Sequence, residues 1–440
     1  MTGLDRYQTP KTRPMPQKRT ALVASLDIGT SKIACMIARL KPCPPNEALR
    51  GRSHAVELIG YSQIQSRGVK AAAVVDLAEC EQAVRQAVAL AERMAKVRVE
   101  SVLLSVSGGR LQGHLVEAAA DIKGGAVTQA DVTRITSAGM RHATGEGRTV
   151  LHALPVSYAL DGVKGIRDPR GMVARQFGVD MNVVTSDATV AKNLMLVVER
   201  CHLNVEAMAA SPYVAGLSVL TDDEADIGAA VVEMGAGTTT IATYSGGRFV
   251  HASGFAVGGQ HITMDLARGL SACIADAERI KTLYGTVLTG GSDARELMSV
   301  PAAGDNERDA PQIVSRATIA NIVRHRAEEI FEMVRDRLAD SPFAAEPRAR
   351  VVLSGGASQL TGLPELATQI LGRPVRIGRP LGFGRLPNEA KSASFAVPSG
   401  LLVYPQYAHL EHVEPRHTRQ LRTGTDGYFG KVGRWLREGF

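Results

Sequence analysis

The stretch Val231–Val250, VVEMGAGTTTIATYSGGRFV, decides how this chain is read. It has the form of a strand, a tight glycine turn and a second strand. The apolar run Ala229–Val232 ends in a carboxylate, Glu233; Gly235 and Gly237 open the turn, and Thr238, Thr239 and Thr240 follow. Glycine lets backbone N–H groups approach an anion with no Cβ in the way, and threonine hydroxyls add donors. A carboxylate at a strand end can hold a hydrated divalent cation or polarise a water. Taken singly, such a loop is also what an ordinary hairpin looks like.

The pattern occurs twice. Ala21–Lys32 reads ALVASLDIGTSK: an apolar strand, then Asp27, Gly29, Thr30 and Ser31, then a second strand over Ile33–Leu40. A third glycine turn lies in Arg350–Gly356, RVVLSGG, after another β-rich run. Two related hairpins facing each other from two halves, with a third loop beside them, can grip one nucleotide in a central cleft. That constellation is far more specific than any single glycine motif.

The 440 residues suffice for two or more domains with proper cores. A hydrophobic content of 45% with 22% charged residues belongs to globular chains, not disordered ones. The five cysteines, Cys35, Cys43, Cys80, Cys201 and Cys273, are scattered and form no C-x-x-C pair. This argues against a disulfide framework or structural zinc and fits a reducing compartment. No secretory signal or membrane span is expected. The formal charge of +7 is concentrated at the ends: residues 1–20 carry +4 and residues 411–440 carry +2, which leaves the body near neutral. With 4% aromatic residues as well, nucleic-acid binding by the body is not expected.

Along the chain, 1–19 reads as a flexible basic arm. Leu77–Val97 is helical behind Asp76 as N-cap, and Gln129–Arg141 is helical behind Thr128. Residues 98–178 read as a small α+β module inserted into the first lobe. Gln312–Asp340 reads as one long helix with Ile319, Ile322, Val323, Ile330, Phe331, Val334 and Leu338 as its core stripe. After Tyr404 the chain becomes polar until about residue 426. Gly427–Phe440, GYFGKVGRWLREGF, then gathers Tyr428, Phe429, Val432, Trp435, Leu436 and Phe440 within an arc of roughly 140° of a helical wheel. Lys431, Arg434 and Arg437 lie opposite. A short helix of this kind suits a membrane interface, and anionic lipid in particular. Gly430, Gly433 and Gly439 favour folding on contact with lipid over a helix stable in water.

With those residues in hand, the chain resembles the actin/Hsp70/sugar-kinase superfamily, and within it the FtsA family of bacterial cell-division proteins. LDIGTSK is similar to the superfamily's first phosphate loop, VVEMGAGTTT to the second, VVLSGGASQLTGL to the adenosine loop, and IADAERIK to the helix that meets ribose and base. The resemblance covers roughly 20–404 and the tail. It implies an α/β, two-lobed actin-like ATPase fold of two RNase H-like halves: 20–97 with 179–212, and 213–259 with 345–404, the chain returning to the first lobe near its end. It further implies the inserted module at 98–178, a subdomain at 260–344, a polar linker at 405–426 and a membrane-targeting helix at 427–440.

The same resemblance implies ATP and Mg2+ as cofactors. Asp27 and Glu233 would position the metal through water. Gly29, Thr30, Ser31, Lys32, Gly235, Gly237, Thr238, Thr239 and Gly259 would hold the nucleotide, with Glu278 and Lys281 at ribose and base and Gly355 and Gly356 beside the adenosine. Expected partners are FtsZ through 260–344, further copies of the chain, later divisome proteins through 98–178 and anionic lipids. The expected place is the cytoplasmic face of the inner membrane at the division site. Two positions depart from the family pattern, which has Asp where this chain has Glu233 and Asp where it has Thr240; at most weak ATP hydrolysis is therefore expected. A soluble pilus or secretion assembly ATPase shares the fold and stays as an alternative, over which the tail and the module favour the FtsA family. A sugar kinase needs an acceptor base, and no separate candidate is present. An Hsp70-type chaperone needs a peptide-binding domain after the ATPase.

Overall fold

The computed structural model describes residues 7–12, 15, 18–44, 49, 51–122, 125–288, 290, 295–301, 312–384, 386–412 and 419–420. Within them the two glycine hairpins occupy corresponding places in two sheets. In the first, the order is Asn204–Ala210, Ser101–Val106, Ala21–Ile28, Lys32–Pro42, His54–Gln65 and Phe383–Gly384. In the second, Val375–Ile377, Arg350–Ser354, Ala229–Met234, Thr239–Ser245 and Arg248–Phe255 follow one another. Each sheet has three antiparallel strands built from the hairpin, then two parallel strands beyond its first strand. The chain thus makes the same half twice.

Burial explains why these segments are strands. All six residues of Ala229–Met234 are buried, as are Ile33 to Ala38 in succession. Continuous apolar runs of this kind suit strands covered on both faces. The first lobe is covered by Leu77–Ala95, whose Asp76 accepts a hydrogen bond from the Glu79 amide at 3.0 Å, and by Ala188–Arg200. Ser211–Val219 and Ala396–Val403 pack on each other and are buried on every side, as a helix apolar all round must be. Both belong to the first core, which also takes in Val231, Ala242 and Val352 of the second sheet. Gly259–Gly269, Ile274–Tyr284, Arg316–Ala339 and Leu363–Leu371 build the second core around Val232, Phe331 and Leu353.

The second sheet continues into a third unit. Gln112–Asp121, Gln176–Asp187 and Arg148–Leu160 run antiparallel and carry the helix Gln129–Ala143, which opens with a capping box between Thr128 and Asp131. Its own core includes Ile135, Phe177 and Val183. One residue pair, Ser253 with Gln112, joins this unit to the second sheet.

Four expectations are corrected. The strand Ser101–Val106, assigned to the inserted module, lies in the first lobe's sheet, where Ser25 and Leu26 pair with Leu103 and Leu104. The long helix starts at Arg316: Gln312–Ser315 is a strand paired with Leu297–Val300, and Ser315 caps the helix by accepting from the Thr318 amide at 3.2 Å. The basic arm is not a solvated tail throughout, because Tyr7–Gln8 pairs in parallel with Thr149 and Val150, and Thr9 is buried. Nor is 405–426 a plain linker: Gln406 and Ala408 are buried, and Glu411 is enclosed by Lys11 and His152. The tail residues Tyr428 to Phe440, including Trp435, lie outside the described residues. No helix among the described residues is long and apolar enough to cross a membrane.

Candidate functional site

The two glycine turns are closed by the same hydrogen bond. The Gly29 amide donates to Lys32 O at 3.0 Å, and the Gly235 amide donates to Thr238 O at 2.9 Å. Each acid stands two residues before its glycine, at the last but one position of its strand: Asp27 in Ala21–Ile28, Glu233 in Ala229–Met234. The turns meet across the cleft. A Cβ on Gly237 would lie 2.4 Å from Thr30 Oγ1, so only glycine permits this approach. Thr30 Oγ1 also accepts from the Ala72 amide at 3.0 Å, and Ser31 is exposed beside it.

The third loop closes on the second from behind. Gly355 has φ +85°, and a Cβ there would sit 2.4 Å from Met234 O and 2.8 Å from Glu233 Oε1. Its amide donates to Ala393 O at 3.1 Å, which ties the loop to the returning chain, while Gly356 is exposed. Gly259 is buried; its amide donates to Gly235 O at 2.9 Å, and the next amide, of Gln260, to Ala236 O at 2.8 Å. The helix Gly259–Gly269 is therefore docked by its first turn on the second loop. Thr238 is buried in that loop, and the Thr239 hydroxyl donates to Val257 O at 2.8 Å, bracing the turn before the helix. Glu278 and Lys281 form an ion pair at 2.7 Å; Thr263 donates to Glu278 at 2.5 Å, and Lys281 to Gly259 O at 3.1 Å. This places them at the docked helix, adjoining the second loop.

Electrostatics sets the character of the cleft. Glu233 is 8% exposed, and its carboxyl is pushed up to about 8, first by burial and then by the charge of Asp27. Asp27 is raised in turn by loss of water, against the Ser105 hydroxyl, which donates to it at 2.5 Å. Among the described residues, Lys32 is the cation that steadies both. Its ammonium donates to Ser394 O at 2.6 Å and lies 4.4 Å from the centre of the Phe395 ring; withdrawal from water lowers it to about 8, opposed by Asp27 and Glu233. With both acids ionised, one lysine would leave the site short of positive charge, and the pair is raised, by burial first. Among the described residues no group of three or more His, Cys, Asp or Glu is placed to hold a metal ion. A cation here would complete its shell with water and ligand oxygens, the habit of Mg2+ at phosphates. The glycine turns, the acid pair and the lysine thus fit a nucleotide with its cation.

One supporting residue, Ser105, escaped sequence reasoning, and a second, Thr240, was singled out without its role. Ser105 belongs to a strand that joins Ala21–Ile28 only through the sheet. Thr240 donates to Glu233 Oε2 at 3.1 Å from the position directly opposite it in the hairpin. That alternation was visible in the sequence and identifies what holds the longer carboxylate in place.

Comparison with known proteins agrees with this geometry. Residues 230–400 match the family model described as cell division protein FtsA, and residues 108–185 match the SHS2 domain inserted in FtsA. A cell division protein FtsA from Agrobacterium fabrum is 45% identical over 439 residues, covering 100% of this chain and 99% of that one. One from Escherichia coli is 30% identical over 426 residues, covering 95% and 98%. Among solved structures, the PilM-PilN type IV pilus biogenesis complex aligns with a TM-score of 0.60 at 16% identity, over 87% of this chain and 98% of that chain. MreB5 of Spiroplasma citri bound to ADP aligns with a TM-score of 0.51 at 15% identity, over 88% and 97%. At these identities the solved structures speak for a shared actin-like fold.

Proposed function

The chain belongs to the FtsA family of cell division proteins, and from that premise we propose that it is an ATP-binding actin-like scaffold. In this reading it polymerises on the inner face of the cytoplasmic membrane, tethers FtsZ filaments there and recruits later division proteins. The observation that carries the nucleotide part is the meeting of two identically closed glycine turns at Thr30 and Gly237, with Asp27 and Glu233 behind them. The amides and hydroxyls of Gly29–Ser31 and of Gly235–Thr238 hold phosphate oxygens, and Lys32 adds charge. Asp27 and Glu233 hold the waters of the cation. Glu278 and Lys281, with Gly355 and Gly356, bracket the nucleoside. Bound Mg-ATP supplies a charged phosphate chain that both lobes can grip at once. Hydrolysis is slow in this reading, because the Glu233 carboxyl is extended by one methylene and held by Thr240 rather than left to orient a water.

The remaining assignments follow the lobes. Region 260–344 receives the FtsZ tail, the module after Val106 contacts later division proteins, and 427–440 lies in the membrane interface through its aromatic face. The decisive test is liposome flotation of the full chain and of a chain ending at Asp426, with and without Mg-ATP. Flotation of the full chain alone with anionic lipid, lost in Trp435→Glu, is the expected result. If both chains stay in solution, the membrane scaffold reading fails.

A further inference from the structure

The basic arm carries an inference that the nucleotide cleft does not touch. Residues 7–12 lie in a groove between the inserted module and the first lobe. On one wall, Tyr7 and Gln8 pair in parallel with Thr149 and Val150, and Thr9 bonds Val150 O through its amide at 3.2 Å and its hydroxyl at 3.1 Å. On the other, the Met208 amide donates to Pro10 O at 3.2 Å, and the Thr12 hydroxyl donates to Glu206 Oε1 at 2.6 Å. Between them Lys11 descends into the fold. Its ammonium bonds Leu151 O and lies 2.6 Å from Glu411 Oε2, with both side chains under 10% exposed.

The floor of the groove is built for a single cation. His152 is fully buried and its Nε2 faces the Ala210 amide at 2.8 Å. That N–H needs a lone pair, so the imidazole proton is on Nδ1 and donates to Glu411 Oε1 at 2.7 Å. His152 is then neutral, and burial lowers its basicity further. Glu411 keeps one negative charge, and among the described residues Lys11 of the arm is the cation paired with it. Val150, Leu151, His152, Glu206, Met208 and Glu411, which receive the arm, belong to the folded body, while Arg419 and Gln420 pair in parallel with the far edge of Tyr7–Gln8. The arm adds hydrogen bonds and one buried charge but a ladder only two residues long. A strand edge held by so short a piece is a template for other extended segments.

We propose that this groove is a binding site for an extended, lysine-bearing peptide, which the chain fills with its own arm. Recognition combines main-chain pairing to Val150, the amide of Met208 on the other wall, and a lysine pocket over Glu411 and His152. The arm keeps the site by being tethered, since a covalently attached ligand acts at high effective concentration.

The test uses full chains and a fluorescent peptide of residues 6–13, RYQTPKTR. In the wild-type chain the arm blocks the groove; in Lys11→Glu its second negative charge is repelled by Glu411, and the groove opens. Anisotropy should show the peptide binding K11E at least tenfold more tightly than wild type, and a peptide carrying Glu at the lysine position should bind neither. Hydrogen exchange at Met208 reports the arm directly: slow in wild type, fast in K11E, slow again when the peptide is added. Lys11→Gln, which leaves Glu411 its His152 partner, serves if K11E does not fold. Equal binding to the chains, no binding to the opened chain, or a Met208 amide still protected in the variant would each overturn the proposal.

Discussion

Glu233 and Glu411 are both buried glutamates, and the fold drives them in opposite directions. Glu233 rises to about 8, and Glu411 falls to about 2. Burial pushes both upward and is the largest influence on each. The difference lies in their company. Glu411 has an ammonium at 2.6 Å and an imidazole N–H at 2.7 Å, with no second acid beside it. Glu233 has a neutral hydroxyl at 3.1 Å and faces Asp27. A buried carboxylate with its countercharge built in is a structural part; one left short of countercharge is where a cation can be received.

The contrast is broken most severely at the structural end. Lys11→Met leaves Glu411 charged with only the neutral donors of His152 and Tyr404, and unfolding in urea at pH 7 should show a loss of about 3–5 kcal/mol, the usual consequence of orphaning one partner of a buried pair. Adding Glu411→Gln to Lys11→Met should recover much of that loss. Next comes pH. Glu411 titrates in the fold at about 2, below its ordinary 4.5, so its stabilisation is whole above 4.5 and lost as pH falls towards 2. Glu233 titrates in the fold at about 8, above its ordinary 4.5, so the nucleotide-free fold loses stability as pH rises from 4.5 to 8. Thermal melts should show an acid limb removed by Glu411→Gln and an alkaline limb removed by Glu233→Gln, each sloping by at most about 1.4 kcal/mol per pH unit.

A smaller effect is shared by the two acids of the cleft. Saturating Mg-ATP should raise the melting temperature of the wild-type chain, and Asp27→Asn or Glu233→Gln should each weaken that binding by roughly 1.5–3 kcal/mol, measured by calorimetry. In Lys11→Met the binding should be unchanged, since the arm groove holds none of the cleft residues. The smallest change is Thr240→Val, which removes the hydroxyl from Glu233 and should lower stability by about 1 kcal/mol while raising the Glu233 pKa further.

The sequence made the hairpins legible because everything that defines them is local: an acid, a glycine and a strand on either side. The cleft followed because the same local unit occurs twice. The module boundary was misplaced because Ser101–Val106 is assigned by pairing with Leu26, far behind it in the chain, and no local pattern distinguishes that strand from Gln112–Asp121. The extra turn assigned to the long helix arose from an apolar stripe that runs on into Ile313 and Val314, where pairing with Ser299 and Met298 wins over helical propensity. The arm was read as solvated because its lysines looked like surface charge. The partner of Lys11 lies at position 411, and nothing near either residue announces the other.

The seam at Ser253 and Gln112 has a mechanical meaning. Within the inserted unit, Gln112–Asp121 and Gln176–Asp187 are laced by ten consecutive residue pairs, from Gln112 with Thr185 to Asp121 with Gln176. A single ladder pair laces that unit to the second sheet, with Arg248 donating across to Val156 O at 2.6 Å. Beside the seam, Asn182 has both side-chain polar atoms buried and unbonded among the described residues, and so have the hydroxyls of Thr243 and Ser253. A joint with one ladder rung resists twisting less than the panels it connects. Torque applied to either panel is therefore taken up at the joint, while each panel turns as a stiff plate.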